Sequence, residues 1–357
     1  MRRASRTAAI VIAAIATYLA AWPVPVDPVA WRAPKAQGFV GPFAPNERLR
    51  DLETISLGDN HGPETIAVDA HGGVYAGTKE GRIVRVVDSR AENWVSTGGR
   101  PLGLRFDRDG SLLVADAFRG LLRVMPNGEV IALAPEIAYA NSVDVAPDGR
   151  VYFTDSSTKF GARAWHGSYE ASLLDILEHG GHGRLLVYDP RTKKTSTVLT
   201  GLNFANGVAI AHDSSFVLVA ETGSYRVLRH WLAGPKRGRT ETLLENLPGF
   251  PDNLSTGLDG RFWVGFASPR NQLLDALSSM PRLRKVVQRL PKIIRPKAVA
   301  YGHVVAFDRD GRVLASLQDP AGSYRLTTGA TETAEFLYVG SLEMASLARL
   351  KNERRRN

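Results

Sequence analysis

The chain has 357 residues, 44% of them hydrophobic, with 45 Lys and Arg against 36 Asp and Glu, a formal net charge of +9, and no cysteine. Disulfides and thiolate metal sites are excluded, and the hydrophobic content suffices for a large core. The positive charge does not describe a nucleic-acid surface. It gathers at Arg2, Arg3 and Arg6, at Arg354, Arg355 and Arg356, and in PRLRKVVQRLPKIIRPK (281–297), leaving the remainder close to balance.

From the N-terminus, a basic tail over 1–7 leads into an apolar run that starts at Ala8 and ends in PVPVDP. Charge followed by an apolar run is the pattern of an export signal. The reading is a transmembrane signal anchor over 8–26 followed by a linker over 27–49. Arginines before the span place the N-terminus in the cytoplasm and the body on the extracytoplasmic side. The run is short against the roughly 20 residues of a span, so a cleaved signal and a secreted product is the alternative.

Residues 50–350 repeat. Six segments share an apolar-x-apolar start, a turn ending in Asp-Gly or a relative, and a second apolar run. They read PETIAVDAHGGVYAG, PLGLRFDRDGSLLVADA, ANSVDVAPDGRVYFTDSS, FANGVAIAHDSSFVLVAET, FPDNLSTGLDGRFWVGFA and YGHVVAFDRDGRVLASLQD. Alternation gives strands, and Asp, Asn and Gly suit tight hairpins. One such unit cannot bury both faces of its sheet, whereas six arranged radially can. The prediction is an all-β fold, a six-bladed β-propeller closed by RLRDLETISLG in the last blade.

Aligned on the turn glycine, or on Ser214 where the fourth unit lacks one, the units share a column eight residues upstream. Its occupants are Glu64, Leu102, Asn141, Asn206, Asp252 and His303. Innermost propeller strands line the central channel, so this column forms a ring at one mouth. Four of the six are oxygen donors and Asn253 stands beside Asp252. Such a set suits one hard divalent cation, Ca²⁺ above all, with Glu64, Asn141, Asn206, Asp252 and Asn253 as ligands. Single Asn or Asp residues at strand starts often serve turns; their shared register across four blades is what points to a metal. Leu102 lends the mouth an apolar side for substrate. His303 is the candidate general base and a substrate contact, with Asp252 as the other candidate base.

Two insertions interrupt the repeat. The third unit is followed by TKFGARAWHGSYEASLLDILEHGGH, whose EHGGHG end reads as a loop. NQLLDALSSMPRLRKVVQRL, within an insertion over 270–295 in the fifth/sixth blade region, is amphipathic, with apolar residues three and four apart. It either caps the mouth, lies on an anionic membrane surface, or packs on the propeller's side. The basic tail 351–357 ends the chain.

FANGVAI, SFVLVAET, GFPDN, FWVG and LYVGSL closely resemble the strictosidine synthase-like family, within it the branch of the adipocyte plasma membrane-associated proteins. The resemblance covers nearly the whole chain. It implies a six-bladed propeller related to the paraoxonases and the gluconolactonase/senescence marker group, which hold a catalytic divalent metal at the channel mouth. It carries their ligands onto Glu64, Asn141, Asn206 and Asp252, with Asn253 as in the paraoxonase-like pattern. The catalytic glutamate of true strictosidine synthases falls on or near Thr328, with Glu332 out of register, and the paraoxonase-like histidine pair is missing. The expected activity is calcium-dependent hydrolysis of small-molecule esters or lactones, the arylesterase/lactonase type. The other reading is a non-catalytic, membrane-anchored binding or scaffold propeller braced by the metal.

Overall fold

The computed structural model describes residues 2–352, so the three C-terminal arginines lie outside the described residues. The repeats form six four-stranded antiparallel sheets. Blade one holds β2 to β5 (Ile66–Val68, Val74–Gly77, Arg82–Val87, Arg90–Ser96), and blade two holds β6 to β9 (Pro101–Phe106, Leu112–Asp116, Gly120–Val124, Val130–Ala134). Blade three is β10 to β13 (Ala140–Val145, Val151–Asp155, Gly183–Asp189, Lys194–Leu202), and blade four β14 to β17 (Ala205–Ile210, Phe216–Glu221, Arg226–Trp231, Thr240–Leu244). Blade five is β18 to β21 (Gly249–Thr256, Phe262–Pro269, Gly302–Phe307, Val313–Asp319). Blade six joins β22 to β24 (Thr327–Glu332, Phe336–Ser341, Ser346–Lys351) to β1 (Glu53–Ser56), which comes from the other end of the chain.

That closure is the one expected from RLRDLETISLG. Ile55 lies opposite Leu347 and Glu53 opposite Arg349 in an antiparallel pair. Ile55 and Leu57 then enter one buried cluster with Ile66, Val84, Tyr338 and Leu347, joining blade six to blade one. The inner hairpins turn as their residues dictate. Gly110 and Gly149 take the left-handed conformation at φ +80° and +85°, and Ser214 adopts φ +57° at the same place in the unit that has no glycine.

The sixth repeat is placed differently from its sequence reading. YGHVVAFDRDGRVLASLQ supplies β20 and β21, the third and fourth strands of blade five, and not the inner hairpin of blade six. The insertion after β19 lies inside blade five, and an Asp-Gly hairpin has the same turn chemistry wherever it falls in a blade. The innermost strand of blade six is β22.

The N-terminal region also departs from expectation. A single helix α1 spans Arg2–Ala21, tail and apolar run together. Among the described residues no helix is long and apolar enough to cross a membrane, so the transmembrane anchor has no structural support. The arginines fall within the helix, and PVPVDP stops it before its apolar part reaches spanning length. The segment read as a linker is docked. Its Val29 N–H donates to Glu178 O at 2.9 Å, its Trp31 N–H to Ser278 O at 3.1 Å, and Gln318 Nε2 to Phe43 O at 3.0 Å.

Candidate metal centre

The channel ring is built on irregular strands. Pairing to the second strand slips between Ala140 and Val143 in β10, between Ala205 and Val208 in β14, and between Pro251 and Leu254 in β18. Each slip spans the ring residue, and β6 and β22 slip in the corresponding place. A bulge releases a residue from strict in-and-out alternation and re-aims its side chain. Neighbouring inner strands approach closely here: a Cβ on Gly207 would lie 2.2 Å from Leu254 N, so only glycine fits beside Asn206.

Glu64, Asn141, Asn206 and Asp252 are brought together on the floor of one cavity of about 540 Å³, each almost fully buried. Asn141 donates its amide nitrogen to Ser156 Oγ at 2.9 Å, and Ser156 in turn donates to Ala205 O at 2.7 Å. The Asn141 Oδ1 is thereby left buried with no hydrogen-bond partner, as are the Asn206 Oδ1 and the Asp252 Oδ1. Buried polar atoms are nearly always satisfied, and three orphaned acceptors on one floor fit a donor or cation held between them. Electrostatics agree. Burial pushes the Asp252 carboxyl well above the usual carboxylate range and the Glu64 charge pushes it further, against smaller opposing pulls from Asn206 and the Asn253 backbone N–H. Burial likewise raises Glu64, opposed by Arg100. Two carboxylates and two amides, with no third carboxylate and no histidine, are the donors a hard cation takes, and they fit Ca²⁺. Among the described residues no cluster of three or more His, Cys, Asp or Glu offers another arrangement.

The remaining predicted residues lie elsewhere. Asn253 does not line the large cavity; it joins Glu64 around an adjoining void of about 20 Å³, with its Oδ1 orphaned and its Nδ2 on Glu64 O at 3.2 Å. Leu102 keeps the ring position but is fully buried in a cluster with Val26, Ala117, Phe160 and Phe204, beneath the surface a substrate would touch. His303 is corrected outright. It sits on the third strand of blade five, stacked on Phe266 at 4.6 Å with Phe39 beside it, and its Nε2 meets Ser316 Oγ at 3.0 Å. Burial drops its pKa to about 3, so it stays neutral and outside the cavity. The true sixth occupant is Thr328, whose hydroxyl donates to Glu64 O. Glu332, at the far end of β22, accepts from Trp263 Nε1 at 2.9 Å and Leu258 N–H at 3.1 Å, away from the cavity.

Four contributors escaped sequence reading, although a signal existed. Two residues before the ring positions stand Tyr139, Phe204 and Phe250, and all three line the cavity as apolar wall. Arg100 occupies the same place in blade two. It reaches across to Glu64 Oε2 at 2.8 Å with both side chains about 5% exposed or less.

The cavity is roofed by both insertions. Helix α2 (Ser168–Glu178) comes from blade three; α3 (Gln272–Ala276) and α4 (Pro281–Arg289) come from blade five. Trp165, Leu173 and Leu177 face it from one side and Leu274 and Val287 from the other. Arg284, 2% exposed, bolts the roof together: its guanidinium donates to Leu177 O at 2.8 Å, to Ser278 O at 3.1 Å and to Val29 O. EHGGHG is spent structurally. Glu178 holds Lys159 and His182 at 2.7 and 2.6 Å, and His179 stacks on Trp31 at 3.9 Å.

Residues 141–235, which include two of the four floor residues, match the strictosidine synthase family profile, and residues 41–86 match the strictosidine synthase-like N-terminal profile. Adipocyte plasma membrane-associated protein from Bos taurus is 33% identical over 92% of this chain and 85% of its own length. The chain belongs to the strictosidine synthase-like family. Another member, protein strictosidine synthase-like 6 from Arabidopsis thaliana, is 36% identical over 85% of this chain and 83% of its own. Among solved structures, a gluconolactonase from Xanthomonas campestris superposes with a TM-score of 0.61 at 18% identity, covering 93% of this chain and 98% of its own. The calcium-binding protein regucalcin from Agrobacterium tumefaciens gives 0.58 at 14% identity, covering 84% and 93%. At such identities the likeness is one of fold.

Proposed function

We propose that this family member is a divalent-cation-dependent hydrolase of esters or lactones, with Ca²⁺ held by Glu64, Asn141, Asn206 and Asp252. The observation that carries the reading is the set of three orphaned buried oxygens on a floor with two carboxylates of raised pKa. A cation there would polarise a carbonyl oxygen and stabilise the charge that develops on it. The chain's own residues supply the rest. Tyr139, Phe204, Phe250 and the roof exclude water and hold an apolar acyl or aryl group. Arg100 fixes Glu64 in place and opposes the effect of burial on its charge. Asp252, deep in the cavity with an unpartnered oxygen, is the acceptor for the proton of the attacking water, taking the role expected of His303. Asn253 stays outside this floor, on the adjoining void.

Carbon–nitrogen bond formation of the strictosidine synthase type finds no support, because Thr328 occupies the sixth position and Glu332 is engaged elsewhere. Membrane association belongs to the same proposal in peripheral form. Ile10, Ile12, Ile15 and Trp22 of the N-terminal segment are 53 to 69% exposed, and the relatives' name points the same way. The basic insertion lies alongside, since Tyr18 donates to Arg289 O at 3.1 Å and Arg289 to Leu19 O at 2.9 Å.

The test is turnover of phenyl acetate and a small lactone panel with Ca²⁺, with chelator, and for Asp252→Asn, alongside melting of each form. Chelator should abolish turnover and Asp252→Asn should cost about a hundredfold or more. Metal-free Asp252→Asn should melt above metal-free wild type, because one buried carboxylate is gone, and should gain little from Ca²⁺. Activity that persists in chelator overturns the reading. Ca²⁺ stabilisation without any turnover makes the cation a brace and the protein a binding propeller.

A further inference from the structure

The cavity is polarised along its depth. Its floor carries Glu64 and Asp252, its walls are aromatic and aliphatic, and its rim carries Lys292, Arg295 and Lys297 from one short segment. That segment is fixed in place. Ala298 N–H donates to the Tyr169 hydroxyl of α2 at 3.1 Å, Val299 N–H to Ser268 Oγ at 2.9 Å, and Arg295 Nε to Leu290 O at 2.6 Å. The prolines at 291 and 296 restrict it further. Glu170 also lines the cavity, and among the described residues none of the three cations is in a salt bridge. On the floor, by contrast, Arg100 is already committed to Glu64 Oε2 and to Gly62 O at 3.3 Å. Unspent positive charge thus sits at the entrance to an apolar chamber, and spent positive charge at its base.

We infer that the cavity selects an anionic amphiphile: an ester or lactone whose apolar body fills the walls, whose carbonyl reaches the floor, and whose carboxylate or phosphate rests on Lys292, Arg295 and Lys297. This rests on the hydrolase reading for the bond cleaved, and extends it to the substrate's class and orientation. A negative head group enters last, because the aromatic walls would have to desolvate it. The rim cations are specificity determinants. A cavity of this volume is of the size that encloses a drug-sized molecule.

The experiment titrates the full chain with decanoate, decanol and decyltrimethylammonium below their micelle concentrations, following the change in intrinsic tryptophan fluorescence, to which Trp165 beside the cavity contributes, with Trp165→Phe as the control. Decanoate should bind several-fold more tightly than decanol, and the cation weakest of the three. Lys292→Ala/Lys297→Ala should remove most of that preference, a loss of about three- to tenfold for two exposed cations. Lys292→Glu/Lys297→Glu should shift preference toward decyltrimethylammonium. A second arm measures binding to phosphatidylcholine vesicles with and without phosphatidylglycerol. Equal binding of decanoate and decanol by the wild type overturns the inference, as does no binding of either. So does a preference that survives in both variants while phosphatidylglycerol binding is lost, which would make the rim a membrane contact. The two readings fail separately: decanoate preference without ester turnover removes only the hydrolase, and phenyl acetate turnover without charge preference removes only the anionic substrate.

Discussion

Single residues decide whether a buried charge is a cost or a tool, and two aspartates illustrate each. Asp252 lies on the cavity floor, where a cation can discharge it. Asp175, in α2, has no such prospect: it is fully buried, no cation pairs with it among the described residues, and burial lifts its pKa to about 7. Ser157 and His182 pull it down by less, while Glu178 and Asp155 push it up. A carboxyl raised in this way binds its proton more tightly folded than unfolded. Its contribution is therefore favourable in acid and declines as pH rises from near 4 through about 7, by on the order of 4 kcal/mol in total. Asp175→Asn should remove that slope. The variant should be more stable than wild type at pH 8, with the gain shrinking steadily toward pH 4 in urea melts at several pH values. A gain that does not change with pH would mean Asp175 ionises freely in the fold. The four ring oxygens were legible from sequence because register, once found, places equivalent residues in blades one, three, four and five. Arg100 was not legible, because its partner Glu64 is reached across a blade boundary that alternation does not describe.

Elements carry the next level of the argument. Alternating runs separated by Asp-Gly turns revealed strands and blades, yet they do not say which hairpin of a blade is seen. His303 was misplaced for that reason. The blade-five insertion shifted the last Asp-Gly hairpin to the outer strands, and the real inner hairpin of blade six, between Glu332 and Phe336, has no such turn. Composition equally described α1 as an apolar run after arginines, but its geometry is a 20-residue helix with arginines inside it and an apolar surface in solvent. A peripheral helix of this kind binds a bilayer through buried apolar area aided by basic residues. Ile12→Asp with Ile15→Asp, both exposed, should therefore abolish co-sedimentation with phosphatidylglycerol-containing vesicles while leaving the melting temperature within a degree or two. Vesicle binding unchanged by the pair would remove α1 from the membrane reading and leave the basic insertion to account for it.

At the scale of the molecule, a propeller has no single centre; its stability depends on the ring being closed. Closure here joins residues near 55 to residues near 347, so every blade's packing depends on a contact between distant parts of the chain. Leu57 is buried in that join, 1% exposed, with its N–H donating to Ala345 O at 3.0 Å. Leu57→Ala leaves a void between blades six and one, at a cost of about 3 kcal/mol. If the ring is a cooperative unit, the loss should appear as one calorimetric transition displaced by several degrees. Amide exchange should then quicken in β2 to β5 and in β22 to β24 alike, since both blades lose the same neighbour. The cavity should follow, because Glu64 comes just after the join and its backbone carbonyl accepts from Thr328 of blade six and Asn253 of blade five. Ca²⁺ binding by Leu57→Ala should accordingly weaken although no floor residue has changed. Exchange confined to β1, with cation affinity intact, would show the closing strand to be a local strap on which the floor does not depend.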